Sequence, residues 1–403
     1  MNPVTAFFAG ALLPVVAGQT PEPVDLNTAI TRAVQSRAAV QAARLRVEQA
    51  RLTRRSLTAP PSPRLGVGAS SEPNLRGHDD DLVLAQLLDV FGRRRANRSL
   101  GDAQVLLAEA GLRQVLAEVQ GDVVERYAEA VAATQLERNA VATLEVVERV
   151  RELTRLRVEG RVAPAVQLTR VGIEVERMRQ NLVLRQAQRQ AALGRLGGAV
   201  GTPVDAVAGY GVVPTLRVDA AQLAASRSDL LALAANLRIA EANANVARAS
   251  GRPELEASVR TNVWTPGEKA SGLRLQLSIP VFDSGRIRSE VRAAETQTEV
   301  ERRTLEDATR RAQTELEAVR IEIEAASAQV ESFETLIASA RELVEKSEIG
   351  LREGAAAMTL LDVLEATRAL RDVEQGLVEA RLRLARAQAA YLRASGQLIE
   401  MGR

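Results

Sequence analysis

Few side chains in this sequence could do chemistry, and most of those are carboxylates. The chain has 403 residues, one histidine and no cysteine. The histidine lies in the run His78-Asp79-Asp80-Asp81, and imidazole and carboxylate groups are ligand types that metal ions accept. A solvated loop is the favoured interpretation of this run, so we predict no metal site and no cofactor.

Two further carboxylates, Asp362 and Glu365, stand in the run Leu361-Asp362-Val363-Leu364-Glu365-Ala366. The simplest interpretation is that both are ordinary acids of an early helical turn, where the helix dipole favours negative charge. A second interpretation, in which they line a pore, depends on the architecture of the whole chain.

The composition excludes several classes of function. Without cysteine there is no disulfide scaffold, no thiol nucleophile and no cysteine-based zinc site. The sequence contains no Walker-type phosphate loop and no constellation of Ser, His and Asp, so we predict that it is not an enzyme. Lys and Arg total 53 against 51 Asp and Glu, and the two signs interleave, so nothing indicates a nucleic-acid partner.

Long helices must carry most of the chain. Aromatic residues are only 2% of it whereas apolar residues reach 46%, a usage typical of long helices that pack through small residues. No proline interrupts residues 93–159 or 286–350, and in the second stretch apolar or small residues recur every three or four positions, as in a coiled coil. Each stretch of roughly 65 residues would form a rod about 100 Å long.

Each rod ends near a glycine, Gly160 in the first half and Gly354 in the second. Glycine is common after the last turn of a helix, and return helices are predicted at 166–196 and 359–398. Because a short connection between two such helices makes an antiparallel hairpin, we predict hairpin tips at Gly160 and Gly354.

The same order of elements occurs twice: a helix, two strands and a long helical hairpin. The first repeat is predicted at 19–200, a linker with some local structure at 201–227, and the second repeat at 228–403. Residues 1–18 are a short apolar stretch followed by small residues and resemble a secretory signal peptide, although no Lys or Arg precedes the stretch.

The passage from strand to rod is the clearest sign of the repeat. Phe91-Gly92-Arg93 ends one predicted strand, and Phe282-Asp283-Ser284-Gly285-Arg286 follows another. The opening helices are predicted at 26–53 and 228–250, and the strands at 64–70, 82–91, 254–264 and 273–279. The last two strands alternate apolar and polar residues, which indicates one apolar and one wet face, as in a membrane barrel or any half-buried antiparallel sheet.

The doubled junction, the proline-bounded strands, the rods that end near glycine and the run 361–366 together resemble the TolC family of outer-membrane efflux proteins, over about residues 26–398. The resemblance implies a mainly α fold with a membrane β-barrel. In a homotrimer each chain would give four strands to one twelve-stranded barrel, and long antiparallel coiled-coil helices would form a hollow periplasmic α-barrel. Four strands alone cannot close a barrel in lipid, whereas cyclic symmetry supplies the missing ones.

The resemblance also implies a function and a location. Family members are passive exit ducts in the bacterial outer membrane, with most of the chain in the periplasm. They dock to a periplasmic adaptor and an inner-membrane transporter of RND or ABC type. The chain would touch outer-membrane lipid through its apolar strand faces and conduct small molecules or metal ions.

Residue roles follow from the resemblance as well. Asp362 and Glu365 fall where family members carry an acidic periplasmic aperture. The level at which each chain leaves the membrane barrel would be marked by the junction residues Phe91, Gly92, Phe282 and Gly285.

Two other functions stay open. The exit duct of a type I protein secretion system shares the fold, and this sequence does not separate the two. A structural periplasmic coiled-coil protein belongs to a different class, and the doubled strand pairs argue against it, because a structural rod has no reason to insert two strand pairs at matching positions.

Overall fold

The computed structural model describes residues 23–67, 81–211, 218–262, 271–280, 282–353 and 359–399. The predicted signal peptide at 1–18, His78 and the predicted tip Gly354 lie outside these residues. The first repeat consists of α1 (Leu26–Ser36), α2 (Ala38–Thr58), β1 (Arg64–Val67), β2 (Asp81–Leu88), α3 (Arg93–Glu159) and α4 (Ala165–Val200). The second consists of α5 (Ala220–Ser226), α6 (Ser228–Ser250), β3 (Glu254–Asn262), β4 (Ser271–Ser278), α7 (Arg286–Glu353) and α8 (Leu360–Ser395).

The two predicted rods are confirmed as α3 and α7, which have 67 and 68 residues. Each folds back on a return helix of 36 residues, α4 or α8. In the part of the chain that the structure describes, every helix is too polar or too short to cross a membrane.

The first predicted helix is interrupted at Arg37, which has an extended backbone (φ −68°, ψ 121°) between α1 and α2. The Ser36 hydroxyl donates a hydrogen bond to the carbonyl of Val200 (2.7 Å), and Arg37 Nε donates one to the carbonyl of Ala199 (2.9 Å). Arg37 also pairs with Asp122 at 2.6 Å. The break therefore serves to satisfy carbonyls that the end of α4 leaves without helical partners.

We call this set of contacts made by Ser36 and Arg37 a clamp. An equivalent clamp occurs in the second repeat. Arg227 separates α5 from α6 with an extended backbone (φ −73°, ψ 120°). The Ser226 hydroxyl donates to the carbonyl of Ser395 at the end of α8 (2.6 Å), and Arg227 pairs with Glu315 of α7 at 2.6 Å. Part of the segment predicted as a linker is thus a short helix, α5, in the position that α1 occupies in the first repeat.

The two clamps and the helix starts define equivalent positions in the two repeats. Arg37 corresponds to Arg227, and counting from this pair aligns α2 with α6. The rods α3 and α7 align from their first residues, Arg93 and Arg286, and the return helices α4 and α8 align in the same way. The clamps agree with these alignments, because Asp122 falls on Glu315 and Val200 on Ser395.

The four strands form one antiparallel sheet in the order β1-β2-β3-β4. Next to the sheet, α2, α3, α6 and α7 pack side by side in that order. Farther along the rods the order is α4, α3, α8 and α7. In each layer α7 lies at one end of the row, and its main partners among the described residues are α6, α8 and the short helix α5.

Candidate duct surfaces

One face of the sheet is covered by exposed apolar side chains. Leu65, Leu84, Val259 and Leu273 form one row across all four strands, in direct register, and Leu273 is 73% exposed. A contiguous apolar face of this kind is the face that a lipid-embedded strand presents to the membrane.

The opposite face of the sheet is polar on β3 and β4, whereas its β2 positions, such as Val83 and Leu87, are apolar. Arg64, Ala85, Ser258 and Arg274 form the neighbouring row, in which both arginines are exposed. Successive strand residues point to opposite faces, so every second row carries side chains that can line a water-filled passage.

At the first strand-to-rod junction, Phe91 is half-buried and Gly92 adopts the left-handed conformation (φ 80°). β2 ends at Leu88, before the predicted end at Phe91. The reason is that the Asp89 carboxylate accepts hydrogen bonds from the backbone N–H groups of Arg93 and Arg94, both at 2.9 Å. An aspartate that caps the rod cannot also continue the strand.

At the second junction, Gly285 has the matching left-handed conformation (φ 82°). Asp283 caps α7 by accepting from the N–H groups of Ile287 (2.8 Å) and Gly285 (3.1 Å), and these bonds lower the pKa of Asp283 below its ordinary value. Phe282 is 90% exposed. Aromatic side chains at this level are typical of the rim of a membrane barrel.

The connection between α3 and α4 is tight, as predicted, but Gly160 is not its left-handed residue. Gly160 has φ −73°, and Arg161 has φ 59° instead. The N–H of Gly160 donates to the carbonyl of Leu156 (2.9 Å), and that of Val162 donates to the carbonyl of Arg157 (2.8 Å). The reversal therefore begins one residue later than the glycine indicates.

Asp362 and Glu365 lie in the first turns of α8. The Asp362 carboxylate accepts hydrogen bonds from the hydroxyl and the N–H of Thr359, both at 2.7 Å, and these bonds lower the pKa of Asp362 below its ordinary value. Asp362 is thus part of a capping box that starts the helix. Glu365 is exposed. The structure places both carboxylates at the free end of the second hairpin.

An ion pair near this end was not found by sequence reasoning. The Glu174 side chain of α4 is only 9% exposed and pairs with Arg368 of α8 at 3.1 Å. It ties the first hairpin to the second. A lone Glu in a charge-rich helix gives no sequence signal of burial.

The largest difference between the repeats is that one side of α7 has no partner in the described chain. Ala128 of α3 is 3% exposed, whereas the equivalent Ile321 of α7 is 65% exposed. Gly121 of α3 is buried, whereas the equivalent Thr314 is exposed. The side of α3 that carries Ala128 and Gly121 packs on α8, as is seen from Arg393 of α8, which lies directly over Gly121.

A second bare surface lies on α4. Here Gly194 and Gly198 border an open groove of about 840 Å³, and a Cβ atom added at either would meet nothing within 4 Å. The equivalent positions on α8 are Ala389, which is fully buried, and Arg393. Glycine adds nothing to an apolar pattern, but an alignment of α4 with α8 would have singled out these positions.

The third bare surface is on α2. Leu45 and Leu52 are 64% and 55% exposed, whereas the equivalent Ala235 and Ala242 of α6 are each 2% exposed. Ala235 lies against α3 beside Ala110. In all three places, a position that is covered in one repeat is open in the other.

Comparison with known proteins gives one consistent result. A family model described as "Outer membrane efflux protein" matches residues 29–202 and 220–397, and its second segment begins slightly before the repeat boundary predicted at 228. The chain is 26% identical to the pyoverdine export outer membrane protein OpmQ of Pseudomonas putida, over 87% of this chain and 80% of that protein.

Solved structures agree in fold. CusC, which forms a transmembrane channel, matches with a TM-score of 0.75 at 19% identity, over 97% of this chain and 98% of that chain. The outer-membrane channel OprN matches with a TM-score of 0.72 at 22% identity, over 92% of this chain and 89% of that chain.

Proposed function

The chain belongs to the family of outer membrane efflux proteins, and from this membership we propose that three copies close into one continuous duct. Family members are outer-membrane channels of tripartite efflux systems, and this protein is such an exit duct, working with an adaptor and an inner-membrane pump. In our proposal the four strands of each copy build one sector of the membrane barrel. The rods of the three copies form the periplasmic tube.

The observation that supports the closed duct is that the helices at the edges of the chain lack packing contacts that the equivalent helices make inside the chain. α3 packs on α6 and on α8 within the chain. By the alignment of the two repeats, the corresponding contacts of α7 are with α2 and α4 of a second copy. These are the helices that carry the bare surfaces, so a ring of copies covers all three at once.

The sizes of the side chains fit this arrangement. Inside the chain, Gly121 leaves room for Arg393, and a Cβ atom at Gly121 would stand 2.6 Å from Arg393 Nε. At the equivalent place between copies, Thr314 of α7 would meet Gly198 of α4. The glycine is on the rod in the first contact and on the return helix in the second, so that in each contact a larger side chain faces a glycine.

Cross-linking tests this proposal directly, because the chain has no cysteine of its own. With a short bis-maleimide reagent on native outer membranes, the pair Thr314→Cys and Gly198→Cys should join separate copies and produce species of two and three chain masses. The equivalent pair Gly121→Cys and Arg393→Cys is the matched control and should link within one chain without a change of mass. Intact membranes in which the first pair gives only monomers would contradict the closed ring.

We further propose that Asp362 and Glu365 line the periplasmic mouth of the duct. Both stand at the free hairpin end, and rings of carboxylates favour cations in a pore. In planar bilayers, Asp362→Asn with Glu365→Gln should lower the preference for K⁺ over Cl⁻ by about twofold. Asn keeps a capping oxygen for Thr359, so the helix start is preserved. An unchanged preference would place the carboxylates away from the conduction path.

For cargo, we propose small molecules rather than secreted proteins. The support is the similarity to a protein named for pyoverdine export, and it favours this interpretation over type I secretion. Deletion of the gene should raise the sensitivity of cells to toxic small molecules and leave the secreted protein pattern unchanged. Loss of a secreted protein with unchanged sensitivity would favour the secretion duct.

A further inference from the structure

The polar face of the sheet carries its charged residues in separate rows across the strands. The rows nearest the rods carry Glu254 and Glu256, and the latter is opposite Gln276. The next row carries Arg64 and Arg274, the row beyond it carries Arg260 opposite Gly272, and one row farther Asp81 is opposite Asn262. Such rows lie about 7 Å apart, since two residues of strand separate them.

The acidic rows are partly neutralised. Glu254 forms an ion pair with Arg93 at the start of α3, and Arg93 also donates to the carbonyls of Ala249 (3.2 Å) and Arg252 (3.0 Å). This leaves Glu256 as the acidic side chain of those rows without an ion pair among the described residues. The row of Arg64, Ala85, Ser258 and Arg274 contains no carboxylate.

In a ring of three copies this row would hold six guanidinium groups, two from each copy. Arginine keeps its charge in proteins, and a lipid-embedded wall of low dielectric concentrates the field inside a narrow passage. Rings of Arg or Lys are the usual means by which pores favour anions. The field acts on every solute that leaves through the sheet.

We propose that Arg64 and Arg274 form a basic collar inside the membrane end of the duct, which favours the exit of anionic solutes, such as those bearing carboxylate or phosphate groups. The inference rests on the proposed closed duct, because one chain alone has no lumen. It names the class of cargo that the exit suits.

The collar and the carboxylates of the mouth act in opposite directions. Asp362 and Glu365 lie at the free hairpin end, about 100 Å of rod away from the sheet, so the two fields are far beyond a Debye length of each other at physiological salt. Because the mouth contributes its own preference for cations, the effect of the collar is best measured in a protein whose mouth is neutral, the variant Asp362→Asn with Glu365→Gln.

The test is the ratio of Cl⁻ to K⁺ permeability, obtained from reversal potentials of the neutral-mouth protein in planar bilayers under a KCl gradient. Replacing Arg64 and Arg274 by Gln should lower the ratio about threefold. Replacing both by Lys is the matched control, since it keeps the charge, and should leave the ratio unchanged. Glu256→Gln, one row nearer the rods, should raise the ratio.

The outcomes separate this inference from the proposed function. Channels that conduct with the same ratio in the Gln and Lys variants would overturn the collar and leave the duct intact. A membrane-inserted trimer that forms no channel at all would contradict the duct itself. As a second readout, citrate added on the strand side should block the Lys variant more strongly than the Gln variant, and equal block of the two variants would also count against the collar.

Discussion

The two rods α3 and α7 are alike in geometry and different in burial. Both start after a left-handed glycine, with φ 80° and 82°, and they have 67 and 68 residues. Yet buried residues occur along α3 from Ala96 to Thr154, whereas those of α7 are far fewer and begin only at Ala312. The difference lies in what surrounds each rod, since α3 has neighbours on both sides and α7 ends the row. The second rod, α7, is therefore suited to an interface between copies.

The largest expected effect comes from a charge in the bare side of α7. Ile321→Glu should abolish assembly of the duct, because the side chain would be buried against α4 of another copy without a partner for its charge. Native electrophoresis of detergent-extracted membranes should show monomers only. Ile321→Val, which keeps an apolar side chain, should still assemble. A normal trimer with Glu at this position would mean that α7 and α3 differ for a reason other than a missing neighbour.

A smaller effect should appear where the two clamps differ. At Gly396 (φ 70°) an added Cβ would collide with the backbone of Arg227, whereas at Gly201 (φ 82°) it would stand 2.5 Å from the movable Ser36 hydroxyl. Gly396→Ala should lower the free energy of unfolding by about 3 kcal/mol and Gly201→Ala by about 2 kcal/mol. Denaturant titration of the detergent-solubilised protein measures both.

The control for the clamps is Gly172 in α4, where an added Cβ meets nothing within 4 Å. Gly172→Ala should raise the free energy of unfolding by up to about 1 kcal/mol, because alanine favours the helix. If Gly201→Ala lowered the free energy of unfolding as much as Gly396→Ala, the two clamps would be equally rigid, which would contradict the predicted difference between them.

The smallest effect concerns the pair that ties the hairpins. Among the described residues, Arg368→Gln leaves the buried carboxylate of Glu174 with only the 3.7 Å contact to Arg177, and it should cost about 2 kcal/mol. Glu174→Gln leaves a half-exposed Arg368 that water can solvate, and should cost about 1 kcal/mol. The equivalent positions, Ile173 and Ala369, offer no such pair between copies. Equal costs for the two substitutions would show that the carboxylate is solvated.

The rods and the sheet could be predicted because their signals are local. An uninterrupted run of helix formers and a regular apolar spacing predict α3 and α7 without any knowledge of their neighbours. The break at Arg37 could not be predicted in this way. Arginine favours helix, and only the distant carbonyls of α4 make the extended conformation favourable. The end of β2 was misplaced for a similar reason, since Asp89 is committed to the next helix.

The candidate surfaces also differ in whether the sequence alone could predict them. Asp362 and Glu365 could be predicted as pore residues from sequence because they stand in a recognisable run, and their role stays a prediction. Gly194 and Gly198 were not, because a surface made by the absence of side chains leaves no mark on an apolar pattern. The charge rows of the sheet needed the strand register, which places Arg64 in the same row as Arg274 although the two lie in opposite halves of the chain.

The exchange of sizes at Gly121 and Arg393 against Thr314 and Gly198 bears on the history of the chain. A half-length ancestor with a single repeat would have needed six identical joints around its axis. In the proposed ring the joints alternate between two forms, with the small residue on the rod in one and on the return helix in the other. Neither repeat could take the place of the other, because Arg393 would then clash with Thr314, and Gly121 opposite Gly198 would leave a cavity. In the proposed ring the two repeats are therefore not interchangeable, and the symmetry is threefold instead of sixfold.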